Sequence, residues 1–275
     1  MKWPLTSHPF PDRKLSLYNR FYLYASKASQ FDPTIVWGTE IDGDALQAFL
    51  LYRNRQAKVL IRPVHLLIRA TAMALEQFPE LNVRIVGRRI YALREVNIRM
   101  AFYHRRNREI DLIEIGPEYL SKLDRIAGKV WDHLLRAGRG QVSRDRDVAR
   151  LRNLSGFWLR IIFRSYGFLD RHFKLPILGR FDGTRRGCVT INDLSFPGAP
   201  PLSSYKPSQF PSLSDSFNLT LGAAEKKVVE RNGQFISINI IPLVVRADHR
   251  VVDAYRLGQF IDAVRGILNN PEQVD

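Results

Sequence analysis

Phe235-Ile236-Ser237-Ile238-Asn239-Ile240-Ile241-Pro242-Leu243-Val244-Val245, followed by Arg246-Ala247-Asp248-His249-Arg250-Val251-Val252-Asp253-Ala254, is the stretch on which the architecture turns. The first part is a β-branched, apolar run that reads as a long strand. After the second part, a helix runs from roughly Ala254 to Leu268, with Pro271 just beyond it. His249 therefore stands on a loop at a sheet edge, between a strand and a helix, where catalytic groups are commonly carried. Asp253 comes four residues later, near the start of the helix, where the helix dipole stabilises a carboxylate.

Upstream of this stretch, Arg231-Asn232-Gly233-Gln234 contains Asn-Gly, a strong hairpin signal, and joins a strand over Lys227–Glu230 to the long one. Phe217–Ala223 and Cys188–Ile191 read as further strands. Nearer the N-terminus, a helix is expected over Asp12–Gln30, from Leu15, Leu17, Tyr18, Phe21, Tyr22 and Ala25 at helical spacing. A strand over Thr34–Asp42 then leads into a helix opened by Gly43 or Asp44. Pro63 starts a second helix that stops at Phe78-Pro79. Short strands follow over Val83–Val86, Arg89–Leu93, Val96–Tyr103 and Ile110–Ile115, with a turn at Gly87-Arg88. A helix is expected from about Pro117 to Leu135, with Gly138 beyond its end. Strands and helices that do not alternate strictly indicate one mixed α/β (α+β) domain over residues 1–275 rather than a doubly wound sheet.

The chain of 275 residues is 45% hydrophobic and 11% aromatic, enough for a sizeable core and too apolar for disorder. The single cysteine, Cys188, excludes an internal disulfide and Cys-rich metal sites. His8, His104, His133 and His172 show no metal-ligand spacing, and His65, among apolar neighbours on a helix, reads as a core residue; no metal is expected. Lys and Arg number 42 against 27 Asp and Glu, a net charge of +15 that favours polyanionic partners. Basic residues occur along the whole chain and no nucleic-acid motif accompanies them, so nucleic acid is a disfavoured partner. Neither an apolar leader near Met1 nor an apolar run of spanning length is seen, and a cytoplasmic protein, at most peripheral to a membrane, is expected.

The segment around His249 resembles the His-x-x-x-Asp-Gly motif of the dihydrolipoamide acyltransferase catalytic domain, shared in part with chloramphenicol acetyltransferase. Further segments resemble the same family in the same order, from about Arg13 to Pro271. Val59–Val64 through Phe78-Pro79-Glu80-Leu81-Asn82 is similar to its helix ending in "hPELN". Glu95-Val96-Asn97-Ile98 is similar to its "DVNIG" strand, Gly187–Leu194 to "GTFTISNLG", and Leu221-Gly222 through Asn232-Gly233 to its "LGVG…DG" hairpin. Lipoyl and peripheral-subunit-binding domains usually precede this domain, and the chain holds no preceding sequence for them. A free-standing acyltransferase with a specialised role is therefore expected.

The resemblance implies a chloramphenicol acetyltransferase-like two-layer sandwich, with a mixed sheet flanked by helices. It also implies a homotrimer with each active site in a channel between two subunits. Coenzyme A, or another acyl-thioester such as one on an acyl carrier protein, would be the substrate on one side, and a thiol, hydroxyl or amine acceptor would enter from the other. His249 would be the general base, since an ordinary imidazole titrates near neutrality. Asp253 would pair with Arg13 or Arg20 to hold the His loop. Thr190 and Asp193 would line the substrate. Where the family carries a Ser or Thr oxyanion donor, this chain has Asn192, on the same strand face as Thr190. An Asn amide can serve an oxyanion, at a contribution of roughly 3 kcal/mol, but Asn192-Asp193 also suits a plain strand end. Two further departures are Ala254 in place of the motif Gly and the basic run Arg105–Leu112 in place of a "GL…PV" segment. If the chemistry has been lost, the chain is a non-catalytic trimeric scaffold.

Between the helix near Leu135 and the strand at Cys188 the family has a short connector. Here an inserted basic and aromatic segment covers about residues 136–186, with Leu151, Leu154, Trp158, Ile161 and Ile162 at helical spacing. It suits an extra core helix, an anionic membrane surface, the wall of an acyl-chain channel or a carrier-protein dock. A proline-stiffened loop, Phe196–Pro207, follows the Asn192 strand, where it either shapes acceptor access or is a plain surface loop.

Overall fold

The computed structural model describes residues 8–9, 33–86, 89–104, 109–139, 187–195 and 215–274, together with positions 157, 158, 161, 165 and 199. The expected helix over Asp12–Gln30, both support arginines Arg13 and Arg20, the loop Phe196–Pro207 apart from Ala199, and most of the 136–186 insertion lie outside the described residues.

A mixed sheet organises the molecule. Its strands are β2 (Thr34–Asp42), β5 (Ile98–His104), β6 (Glu109–Ile115), β7 (Val189–Asp193), β8 (Phe217–Leu221), β9 (Glu225–Arg231) and β10 (Gln234–Asp248). They run in the order β2-β10-β8-β7-β5-β6, with β9 also paired to β10. The β7 pairs with β5 and β8 are parallel and the others antiparallel. A small second sheet joins β1 (His8–Pro9), β4 (Arg89–Ala92) and β3 (Val83–Val86). The helices are α1 (Gly43–Asn54), α2 (Pro63–Gln77), α3 (Pro117–Leu120), α4 (Leu123–Gly138) and α5 (Ala254–Asn269). This is the mixed sheet flanked by helices that the sequence indicates.

Local chemistry sets most of the boundaries. Asn232 and Gly233 both have positive φ, 56° and 76°, and put Arg231 opposite Gln234 in a two-residue hairpin. Asp42 caps α1 by accepting from the Asp44 and Ala45 amides. Pro63 opens α2 at a position whose amide would have no intrahelical partner. The single helix expected from Pro117 to Leu135 is instead two, because Lys122 is extended and restarts the chain as α4. That restart turns Leu123, Ile126, Ala127 and Val130 together into the core.

The core lies between the sheet and the α2/α5 helices. On α5, Leu257, Phe260, Ile261, Val264, Ile267 and Leu268 are buried at helical spacing, each contributing about 1.5–3 kcal/mol by leaving water. Phe260 meets Phe217 of β8 and Phe78 at the end of α2, with ring centroids 5.3 and 6.5 Å away. Gly187, just before β7, approaches the backbone so closely that a Cβ there would fall 1.6 Å from the Asn97 carbonyl oxygen. Only glycine lets β7 enter beside β5.

Candidate active site

Arg246 and Asp248 at the end of β10 and Arg250 in the turn after it are all buried although charged. Asp248 takes the Arg250 guanidinium in two bonds, from Nε at 3.0 Å and Nη2 at 2.6 Å, and the Arg250 backbone amide in a third. Arg246 Nη2 donates to the Asp215 carbonyl at 2.9 Å, and the Asp248 amide to that of Ser216. The loop bearing His249 is therefore clamped on both sides of the imidazole.

His249 itself is half-buried. Its backbone N–H donates to the Pro33 carbonyl at 2.6 Å. Its ring Nδ1 lies 2.9 Å from the Val252 carbonyl oxygen. A carbonyl oxygen only accepts, so Nδ1 carries the hydrogen and the lone pair of the neutral ring sits on Nε2. That tautomer is the one a general base needs.

Asp253 has a local task at the start of α5. It is the N-cap of α5, its carboxylate accepting from the Arg256 amide at 2.8 Å; the arginines expected to pair with it lie outside the described residues. The carboxylate stands where both the cap and the helix dipole favour it.

Thr190 and Asp193 are likewise held by the protein. The Thr190 hydroxyl donates to Asp215, whose carboxylate also takes Arg84 and Arg99. Asp193 pairs with Arg62 at 3.0 Å and accepts from the Ser195 amide, joining the end of β7 to the entry of α2. Asn192 is half-buried, and its amide nitrogen donates to Asn218 Oδ1 at 2.8 Å and Thr220 Oγ1 at 3.2 Å, across the parallel β7–β8 pair.

Asn192 and His249 are not together in one protomer. Asn192 is level with Thr220, and Thr220 with Val244 of β10, five residues before His249. At the rise of an extended chain this is about 16 Å along the strands, with two strand spacings across as well. Neither side chain spans that gap.

Residues 216–274 match the family model described as 2-oxoacid dehydrogenases acyltransferase (catalytic domain). They include β8, β10, His249 and Asp253. Over these residues the chain is similar to that catalytic domain. A curated relative, the dihydrolipoyllysine-residue acetyltransferase component 3 of the mitochondrial pyruvate dehydrogenase complex of Arabidopsis thaliana, is 38% identical over 58 residues. The match spans 20% of this chain and 11% of that protein. Solved structures share the fold over a longer stretch. A probable dihydrolipoamide acetyltransferase from Listeria monocytogenes superposes with a TM-score of 0.64 at 17% identity, over 92% of this chain and 88% of that one. Chloramphenicol acetyltransferase superposes at 0.54 and 10% identity, over 95% and 99%. At these identities the likeness establishes the fold, a chloramphenicol acetyltransferase-like sandwich.

Within this acyltransferase fold, Asn218, Thr220, Asp215, Arg84, Arg99 and the Asp248–Arg250 clamp are not singled out by the sequence reading. The one available signal was the alternation of charge at 246, 248 and 250, directly after the expected strand end at Val245; the strand in fact runs on to Asp248. Asn82, of the "PELN" segment, braces two loops by donating to the Leu93 and Glu95 carbonyls and accepting from Cys188. Burial pushes the Cys188 thiol up to about 12, so it is inert as a nucleophile at neutral pH.

His65 is a satisfied core residue, its Nδ1 accepting from the Arg62 amide at 3.1 Å. Burial, reinforced by the Arg62 charge and opposed by Asp193, lowers its pKa from 6.5 to about 4. A base depressed in the folded state binds its proton first in the unfolded chain, so its effect is absent above pH 6.5 and destabilises as pH falls toward 4. From pH 7 to 5 the loss is on the order of 2 kcal/mol. His65→Gln should flatten the urea-midpoint profile over that range, and an unchanged slope would assign the acid sensitivity to other groups.

Proposed function

We propose that the chain is an acyltransferase, moving an acyl group between a thioester of coenzyme A or a carrier protein and a thiol, hydroxyl or amine acceptor. The observation that carries the reading is the Nδ1 bond to the Val252 carbonyl, which leaves the His249 lone pair on Nε2. Nε2 takes the proton of the acceptor, and the freed sulfur, oxygen or nitrogen attacks the thioester carbonyl. The tetrahedral oxyanion that forms is stabilised by a hydrogen bond from the Asn192 amide. Collapse breaks the carbon–sulfur bond, and the departing thiolate recovers the proton from the imidazolium. No metal is required at any step.

The distance between Asn192 and His249 within one protomer supports a site shared between copies, in a homotrimer where one subunit supplies the base and its neighbour the amide. Mixing subunits tests this. His249→Ala and Asn192→Ala should each be impaired, Asn192→Ala in kcat more than in KM. Trimers reassembled from equal amounts of the two should regain up to about a quarter of wild-type acyl transfer, because about one interface in four pairs an intact base with an intact amide. No recovery in verified mixed oligomers would place base and donor in one chain or remove Asn192 from the chemistry.

One observation favours the second reading, a trimeric scaffold without chemistry: the Asn192 nitrogen already donates to both Asn218 and Thr220. On that reading no thioester is turned over by the wild type, and calorimetry shows no coenzyme A binding.

A further inference from the structure

Between Arg136 and Arg186 stand thirteen Lys and Arg against four Asp and no Glu. This stretch thus holds nine of the chain's fifteen surplus positive charges. Basic residues occur throughout the protein, but they are about twice as dense here as in the rest of the chain, and acids are slightly scarcer. At the described positions of this stretch, Phe157, Trp158 and Ile161 are in helical conformation and 67%, 55% and 38% exposed. The Phe157 and Trp158 rings meet edge to face, with centroids 5.7 Å apart. Phe157 and Trp158 thus form one exposed apolar patch, with Ile161 exposed three residues on, in a stretch whose sequence is strongly basic.

We infer that this patch docks the protein on the surface of an anionic lipid bilayer. Exposed apolar side chains of this size mark an interaction site, and the charge of the stretch they belong to names its sign. Exposed Phe and Trp rings in contact suit insertion at the boundary of headgroups and acyl chains. That boundary needs no complementary pocket, while the Lys and Arg of the same stretch of sequence add attraction to acidic headgroups. A nucleic-acid duplex would satisfy the charge but leave Phe157 and Ile161 in water. No helix among the described residues is long and apolar enough to cross a membrane. The inference does not rest on the acyltransferase reading.

The test is co-sedimentation of the full chain with vesicles of pure phosphatidylcholine, or with about one-third phosphatidylglycerol. Binding should be at least about tenfold tighter on the anionic vesicles and weaken as salt rises. Phe157→Ser/Trp158→Ser, at exposed positions, should lose about tenfold with an unchanged circular dichroism spectrum. Arg160→Gln/Arg164→Gln keeps the apolar patch and should reduce only the anionic preference. Equal binding to both vesicle types, or none, would overturn the inference. So would full binding by the Ser variant, tighter binding to random-sequence DNA at matched salt, or loss of the oligomer in the Ser variant, which would give the patch to a second copy of the chain.

Discussion

His249→Ala is expected to lower acyl transfer from a thioester by about 10²–10⁴-fold, the usual contribution of a positioned general base, with little change in the unfolding midpoint. The fold should survive because the ring is half-buried and its neighbours are fixed without it. The backbone amide of residue 249 keeps its bond to Pro33, and Asp248 keeps Arg250. The deficit should lie in kcat, because the imidazole acts as the proton moves rather than in holding the thioester. Steady-state kinetics with urea unfolding on the same preparations separates the outcomes. Equal turnover would remove His249 as the base, and a collapsed midpoint would make it a structural residue.

Asp248→Ala should have the largest effect on stability. The Asp248 and Arg250 side chains are only 5% and 6% exposed, and removing the carboxylate takes from a buried guanidinium the acceptor of two of its hydrogen bonds. Breaking one side of such a pair costs about 3–5 kcal/mol. Replacing both partners with apolar residues of similar volume removes the buried guanidinium as well and should recover much of that loss. The double variant is also the better probe of function. The clamp lies on both sides of His249, so a folded Asp248→Leu/Arg250→Leu protein should show reduced kcat at nearly unchanged KM. Urea unfolding of the single and double variants gives the first comparison. Equal losses in both would mean that packing, not pairing, holds the loop.

Much of the architecture was legible because it depends on neighbours in sequence. The Asn-Gly turn, the proline at the start of α2 and the strand-to-helix passage through His249 and Asp253 are local devices. The break between α3 and α4 was not legible: it serves the burial of Leu123 and Ile126 where α4 packs on α2 and β6, and α2 is distant in sequence. That Thr190 and Asp193 meet Asp215 and Arg62 was not legible, since those partners come from other segments of the chain. The capping of α5 by Asp253 was legible in the placement of a carboxylate at a helix start.

The amino-acid sequence by itself determined the succession of strands and helices along the chain, the likeness of its C-terminal part to an acyltransferase catalytic domain and the candidacy of His249, since each rests on residue types at short spacing. Only the tertiary structure decided that Arg84 and Arg99 meet the Asp215 carboxylate, and that Asn192 and His249 stand at opposite ends of the sheet. Those are properties of sheet order and register, set when residues distant in sequence pair, and no local pattern encodes them.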